Sequence, residues 1–191
     1  MRVIGGAFRS RVLKSLPGLD VRPTPDRLRE ALFNVLANGP VDRIQGAVFT
    51  DVYAGTGAVG IEALSRGASR AIFVEQSRAA VKVIRENLRS LGIEERAQVR
   101  EGRASAILAK MMQDAQTGAG IFFVDPPYDL QPEYERSLAI LGEQPPELVI
   151  AQHASRVELA ESYGKLRRVR VLKHGDNALS FFERPKEPKP A

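Results

Sequence analysis

The segment Asp51-Val52-Tyr53-Ala54-Gly55-Thr56-Gly57-Ala58-Val59-Gly60 limits what this chain can fold into more than any other. Before it, residues 47–53 read as a strand. After it, residues 58–66 read as a helix closed by Gly67. Glycines at 55, 57 and 60 give the G-x-G-x-x-G spacing of strand-to-helix turns. Small residues there let the backbone approach a ligand, and the helix N-terminus offers unpaired N–H groups.

The chain beyond the turn keeps alternating. Residues 70–75 read as a strand. Residues 77–91 read as a helix with Val81, Ile84, Leu88 and Leu91 inward and Gly92 as its C-cap. A short strand over 97–100 and a helix over 104–115 follow. Residues 121–124 form a short apolar strand of the central, doubly covered kind, and 148–152 is another. Residues 166–172 and 179–183 flank Gly175-Asp176 and read as an antiparallel pair. The fold expected is α/β: a doubly wound, mostly parallel Rossmann-like sheet with a C-terminal antiparallel strand pair and a short N-terminal extension.

Residues 1–14 read as a hairpin or flexible arm, and the Pro/Gly-rich 15–25 as a loop. Thr24 and Pro25 suit the N-cap and first position of a helix whose apolar face is Leu28, Ala31, Leu32, Val35 and Leu36. Asn38-Gly39-Pro40 ends it. The expected organisation is a basic arm-plus-helix extension over 1–40, one domain over 41–184, and a disordered Pro/Lys-rich tail over 185–191.

Charge points to a polyanionic partner. The 191 residues carry a net charge of +5, concentrated in places. Residues 1–30 hold seven cations (Arg2, Arg9, Arg11, Lys14, Arg22, Arg27, Arg29) against Asp20, Asp26 and Glu30. Lys165, Arg167, Arg168, Arg170 and Lys173 form a second run without an acid. Arg9, Arg11, Arg22 and Arg27 are the candidate contacts to the phosphates of such a partner. With no cysteine there are no disulfides or thiolate metal sites. His153 and His174 stand alone, without metal-ligand spacing, and read as structural; no metal is expected. No signal peptide or membrane-length apolar run is present, so a soluble, cytoplasmic monomer is expected.

Two constellations carry chemistry. Glu75 ends the second strand, twenty residues after Gly55, where a carboxylate can accept from both hydroxyls of a ribose. Either a dinucleotide or S-adenosylmethionine supplies such a ribose. Asp51 favours the latter, because a carboxylate there repels a pyrophosphate but suits a cationic amino-acid tail. The second constellation is Asp125-Pro126-Pro127-Tyr128, directly after the strand 121–124. Asp125 and the Pro126 carbonyl are acceptors, two prolines hold the backbone extended, and Tyr128 offers a stacking face. Together they describe a receptor for an amino group on a flat ring. Acceptors on both amine hydrogens localise a lone pair that is otherwise delocalised into the ring. An NAD-dependent oxidoreductase lacks an obvious proton relay here. A noncatalytic RNA-binding factor leaves the Asp-Pro-Pro-Tyr run unexplained.

The order Gly-rich turn, Glu75, Asp-Pro-Pro-Tyr resembles class I methyltransferases acting on amino groups. The opening Met1-Arg2-Val3-Ile4-Gly5-Gly6 is similar to the bacterial RsmD family in particular. So are Arg22-Pro23-Thr24-Pro25-Asp26-Arg27-Leu28-Arg29-Glu30, Glu62-Ala63-Leu64-Ser65-Arg66-Gly67-Ala68 and Gly175-Asp176-Asn177-Ala178-Leu179. The resemblance implies methyl transfer from S-adenosylmethionine to N2 of one guanine in 16S ribosomal RNA, as naked RNA or within the small subunit. It implies cofactor contacts at Asp51, Ala54, Gly55, Gly57, Glu75, Gln76, Ala104 and Asp125, and chemistry at Asp125, Pro126 and Tyr128. Asp-Pro-Pro-Tyr by itself also serves adenine-N6 and cytosine-N4 enzymes. Two departures stand out. The family's usual Asp-Leu-Phe-Ala-Gly-Ser-Gly is Asp51-Val52-Tyr53-Ala54-Gly55-Thr56-Gly57 here. The Asp or Asn usual before Ala104 is Arg103, which has no acceptor for an adenine amine.

Overall fold

The computed structural model describes residues 1–16, 26–113, 120–127 and 131–185. Eight strands run in chain order: β1 Val48–Val52, β2 Arg70–Glu75, β3 Ala97–Glu101, β4 Ile121–Val124, β5 Leu148–Ala154, β6 Ser162–Tyr163, β7 Leu166–His174 and β8 Asn177–Glu183. The helices are α1 Asp26–Ala37, α2 Ala58–Ser65, α3 Arg78–Leu91, α4 Ala104–Met112 and α5 Gln131–Glu143. The strands form one sheet in the order β3-β2-β1-β4-β5-β8-β7-β6. β1 to β5 are parallel, and β8, β7 and β6 add antiparallel pairings. The mostly parallel doubly wound sheet and its C-terminal antiparallel pair are therefore as expected.

The apolar strands need cover on both faces, and the helices supply it. On one face α4 and α5 bring Leu108, Met111, Leu138 and Leu141 against Val52, Phe122, Val124 and Val149. On the other, α1 brings Leu28, Leu32, Phe33 and Leu36 against Phe49, Phe123 and Ile150. Beside it α2 and α3 bury Ile61, Leu64, Ile84 and Leu88 against Ala71 and Phe73. Helix α1 is thus part of the sheet's cover, and its four apolar side chains reach essentially zero exposure. Burying a leucine or phenylalanine side chain contributes about 1.5–3 kcal/mol.

Helix α3 starts on the Ser77 side chain, which accepts from Ala80 N–H, and stops at Gly92 in the left-handed region. Helix α5 has no counterpart in the reading of the sequence. Its opening Gln131-Pro132-Glu133 is polar and follows a proline-rich run, which masks a helix start, although proline is at home in a helix's first turn. Among the expectations, Thr24 and Pro25 as a helix start, residues 114–115 of a helix, and the tail beyond 185 lie outside the described residues.

The N-terminal arm is held down by buried polar groups. Glu62 of α2, fully buried, accepts from Ile4 N–H and Gly5 N–H at 2.8 Å each and from Arg66 Nε at 2.7 Å. Arg29 Nη2 donates to the Arg2 carbonyl at 2.7 Å, and its Nε lies 3.8 Å from Glu62. Arg29 therefore belongs to the interior and leaves the basic surface on which its charge placed it. Burial lowers its pKa, and Glu62 and Asp26 work against that shift. Asn87 of α3 ties Lys14 to the Gly-rich turn: its Oδ1 accepts from Lys14 N–H, and its Nδ2 donates to the Lys14 and Thr56 carbonyls. No helix among the described residues is long and apolar enough to cross a membrane.

Candidate active site

Parallel strands of this kind present their carboxyl ends along one edge, and the strand order reverses between β1 and β4. The crevice outside that reversal is where open α/β sheets take ligands. The Gly-rich turn leaves β1 there, and Asp125 follows β4 there.

On the β1–β2 side the turn is closed by its own hydrogen bonds. Gly55 and Gly57 adopt φ of 56° and 79°. That left-handed conformation comes readily only to glycine. Gly57 N–H donates to the Ala54 carbonyl at 2.8 Å. A Cβ on Gly60 would run into the Phe73 ring, so the helix packs close on β2. Glu75 Oε2 accepts from Gly55 N–H and Oε1 from Ser77 N–H, both at 2.8 Å. The carboxylate thus clasps the turn to the start of α3, and each oxygen keeps a lone pair. Gln76 beside it is exposed.

Asp51 is 2% exposed, and its Oδ2 accepts from Gly60 N–H at 2.8 Å. Burial pushes its pKa up to about 8; the charges of Asp125 and Glu75 add to the rise, and the Gly60 bond opposes it. Burial and the neighbouring carboxylates therefore favour the protonated form of Asp51. The same coupling means that the three carboxyls Asp51, Glu75 and Asp125 converge on one edge. Ala104, 6% exposed, opens α4. Gly102 N–H donates to the Glu75 carbonyl at 2.9 Å, which ties that opening to the end of β2. Arg103 is the N-cap, extended in backbone and making no side-chain capping bond.

On the β4 side, Asp125 N–H reaches the Val52 carbonyl at 3.3 Å, carrying the β1–β4 ladder one residue beyond β4. Asp125 is half-buried, Pro126 buried and Pro127 exposed. Tyr128 lies outside the described residues, as does Arg22. Arg9, Arg11 and Arg27 are exposed, and Arg11 Nη2 donates to the Ser90 carbonyl at 3.0 Å.

Tyr53 was legible only as a mild variation within the turn. It takes a positive φ of 66°, and its hydroxyl lies 3.0 Å from Glu133 Oε2 and 2.9 Å from Ser137 Oγ, both on α5. Burial raises the phenol to about 12. The turn that follows β1 is thus bolted to the helix that follows the Asp-Pro-Pro-Tyr run. A phenylalanine at this position could not make the link, and the hydroxyl of the tyrosine was the available signal. His153 is a structural residue as expected: Nε2 lies 2.9 Å from Ser180 Oγ and Nδ1 2.9 Å from the Ala154 carbonyl.

The sheet order, the Gly-rich turn with Glu75, and Asp125 at the switch point define a class I methyltransferase fold. The comparisons with known proteins narrow this. The family described as Conserved hypothetical protein 95 matches residues 1–183. YlbH of Bacillus subtilis is 34% identical over 188 residues, which are 96% of this chain and 99% of that protein. Ribosomal RNA small subunit methyltransferase D of Escherichia coli K12 is 41% identical over 131 residues, 67% of this chain and 60% of that one. The solved structure of yhhF from Escherichia coli superposes with a TM-score of 0.78 at 34% identity, covering 96% of this chain and 97% of that chain. An RNA methyltransferase from Salinibacter ruber, solved with S-adenosyl-L-homocysteine, shares the fold at 17% identity and a TM-score of 0.58, over 88% of this chain and 97% of its own. The chain belongs to the family Conserved hypothetical protein 95, the RsmD family that its motifs resemble.

Proposed function

We propose that the protein transfers a methyl group from S-adenosylmethionine to the exocyclic N2 amine of one guanine in small-subunit (16S) ribosomal RNA. The observation that carries this reading is the meeting of the Glu75-clasped turn and Asp125 across the β1–β4 reversal. The name of the Escherichia coli relative supports the ribosomal substrate.

The residues present suit the donor. Glu75 has spare lone pairs on both oxygens for ribose hydroxyls. Asp51, whose protonated form burial favours, gains a reason to ionise beside an amino-acid ammonium. Gly55 leaves open space where a side chain would stand, and Ala54 and Gly57 complete the turn beside it. Ala104 sits where an adenine ring would pack, and with Arg103 lacking an acceptor, backbone groups or stacking would hold that ring. Gln76 follows Glu75 at the rim. S-adenosylmethionine supplies, when bound, a methyl group already activated by its sulfonium.

What remains for the protein is alignment and proton handling. Asp125 and the Pro126 carbonyl accept the two hydrogens of the target amine, which favours a pyramidal nitrogen with a localised lone pair. Tyr128 stacks on the base after it turns out of its helix or loop. Asp125 takes the proton the amine loses. Arg9, Arg11, Arg22 and Arg27 bind phosphates from the extension over 1–40, which makes binding salt-dependent. The protein works as a cytoplasmic monomer.

The test uses labelled S-adenosylmethionine with naked small-subunit RNA and with subunits from a strain lacking the modification. Nucleoside analysis then maps the label. A labelled N2-methylguanine at one position is expected. Label on an adenine or cytosine amine would replace the guanine assignment, and no transfer to either substrate would end the reading.

A further inference from the structure

Val52 pairs with Val74 and with Val124, and Val124 pairs with Ala151. These four residues form the last register row shared by β2, β1, β4 and β5. One residue further along each strand stand Glu75, Tyr53, Asp125 and Gln152. Strands are spaced about 4.8 Å apart, so Gln152 lies about that far beyond Asp125, on the side away from Glu75. Asp125 comes two residues after Phe123, and Gln152 two after Ile150. Phe123 and Ile150 share the sheet face that α1 covers. Asp125 makes itself felt at Asp51, which lies on that face two residues after Phe49.

Gln152 is 1% exposed, and its Oε1 has no hydrogen-bond partner among the described residues. Buried polar atoms are paired in the large majority of cases, and an orphan calls for a reason. The row suggests one. Glu75 at one end suits the donor's ribose, and Asp125 the amine that accepts the methyl. The next position outward meets the part of the base beside that amine.

We infer that Gln152 is a base-recognition residue, its Oε1 accepting the ring N1–H that neighbours the methylated N2 of guanine. The inference rests on the guanine-N2 reading. It also accounts for selectivity that the acceptor run alone lacks. The amine of adenine or cytosine has an unprotonated ring nitrogen next to it, which offers a lone pair where guanine offers N1–H. An acceptor at Gln152 therefore favours guanine and opposes the other two. Sites built to hydrogen-bond a substrate group reject analogues that lack it, because the protein's own polar atom is then left unpaired.

Gln152→Met and Gln152→Glu test this. Methionine keeps the unbranched shape without the amide, and glutamate, assayed at a pH where it is ionised, presents acceptors only. The substrate is small-subunit RNA with either guanine or 2-aminopurine at the mapped position; 2-aminopurine keeps the amine and lacks N1–H. For Gln152→Met, kcat/KM toward guanine RNA should fall at least tenfold. Its S-adenosylmethionine affinity should stay within about twofold, and its melting temperature should be equal or higher. Its preference for guanine over 2-aminopurine should shrink relative to the wild type. Gln152→Glu should keep that preference or increase it. A preference unchanged in Gln152→Met overturns the inference even where its rate falls, because a purely structural residue slows both substrates alike. Wild-type protein that methylates no guanine overturns the guanine reading and this inference together. Guanine methylation with an unchanged preference overturns this inference alone.

Discussion

The two sides of the crevice are built differently. On the β1–β2 side the polar groups are already engaged: Glu75 holds Gly55 and Ser77, Asp51 holds Gly60, and Asn87 holds Thr56. On the β4–β5 side Gln152 Oε1 is buried without a partner among the described residues. The first side is organised before any ligand arrives, which lowers the ordering cost of binding a donor that is the same at every turnover. On the second, Gln152 Oε1 keeps an acceptor that no group among the described residues takes up.

This difference predicts which property each substitution changes. The largest effect is expected for Asp125→Ala, with a fall in kcat of about 10²- to 10³-fold, the size seen when one preorganised polar contact to a reacting group is removed. Its affinity for S-adenosylmethionine should remain within several-fold of wild type in calorimetry. A comparable loss of donor affinity would erase the division between the sides. Glu75→Ala should show the opposite pattern. Loss of a charged hydrogen bond, about 1.5–3 kcal/mol, should weaken donor binding about 10- to 100-fold for each ribose hydroxyl that Glu75 holds. Unchanged donor affinity would remove Glu75 from the site.

Asp51 sharpens the comparison through pH. Its folded pKa of about 8 lies well above its ordinary value of 3.8. Between those values the folded state holds a proton that the unfolded chain has released, so this contribution to stability declines as pH rises through that window. The ligand-free melting temperature should therefore fall from pH 5 to 8 more steeply in the wild type than in Asp51→Asn. Equal slopes would mean that Asp51 is ionised throughout. Binding of the cationic donor near pH 7 should also release protons, seen as a buffer-dependent binding enthalpy that Asp51→Asn abolishes.

The smallest effect is expected at the link between the sides. Tyr53→Phe removes the hydroxyl shared by Glu133 and Ser137, and denaturant titration should read a loss of about 0.5–1.5 kcal/mol. A larger drop in turnover than in stability would show that the bolt to α5 sets the acceptor geometry as well as holding the helix.

Some of this was legible in the sequence because its signals are local. Gly55 and Gly57 mark a backbone conformation, Gly60 a close approach of helix to strand, Glu75 the end of an apolar strand, and Asp125-Pro126-Pro127 the end of another. Each depends on a few neighbouring residues. Arg29 and Gln152 were not legible for the opposite reason. A cation in a basic stretch reads as surface, and a glutamine closing an apolar strand reads as the end of that strand. Helix α5 escaped because its first turn is polar and follows prolines.

The sequence by itself determined the alternation of strands and helices, the turn that follows β1 and the acceptor run that follows β4. Periodicity and turn chemistry act over a few residues and need no knowledge of distant partners. Only the tertiary structure decided that Glu75, Asp51, Asp125 and Gln152 share one edge, and that Arg29 and Glu62 clasp the arm. Strand order and register bring together residues up to about a hundred positions apart, Asp51 and Gln152 among them. Burial then raises the pKa of Asp51 and leaves Gln152 Oε1 without a partner among the described residues, and both are properties of the packed interior rather than of any local stretch of chain.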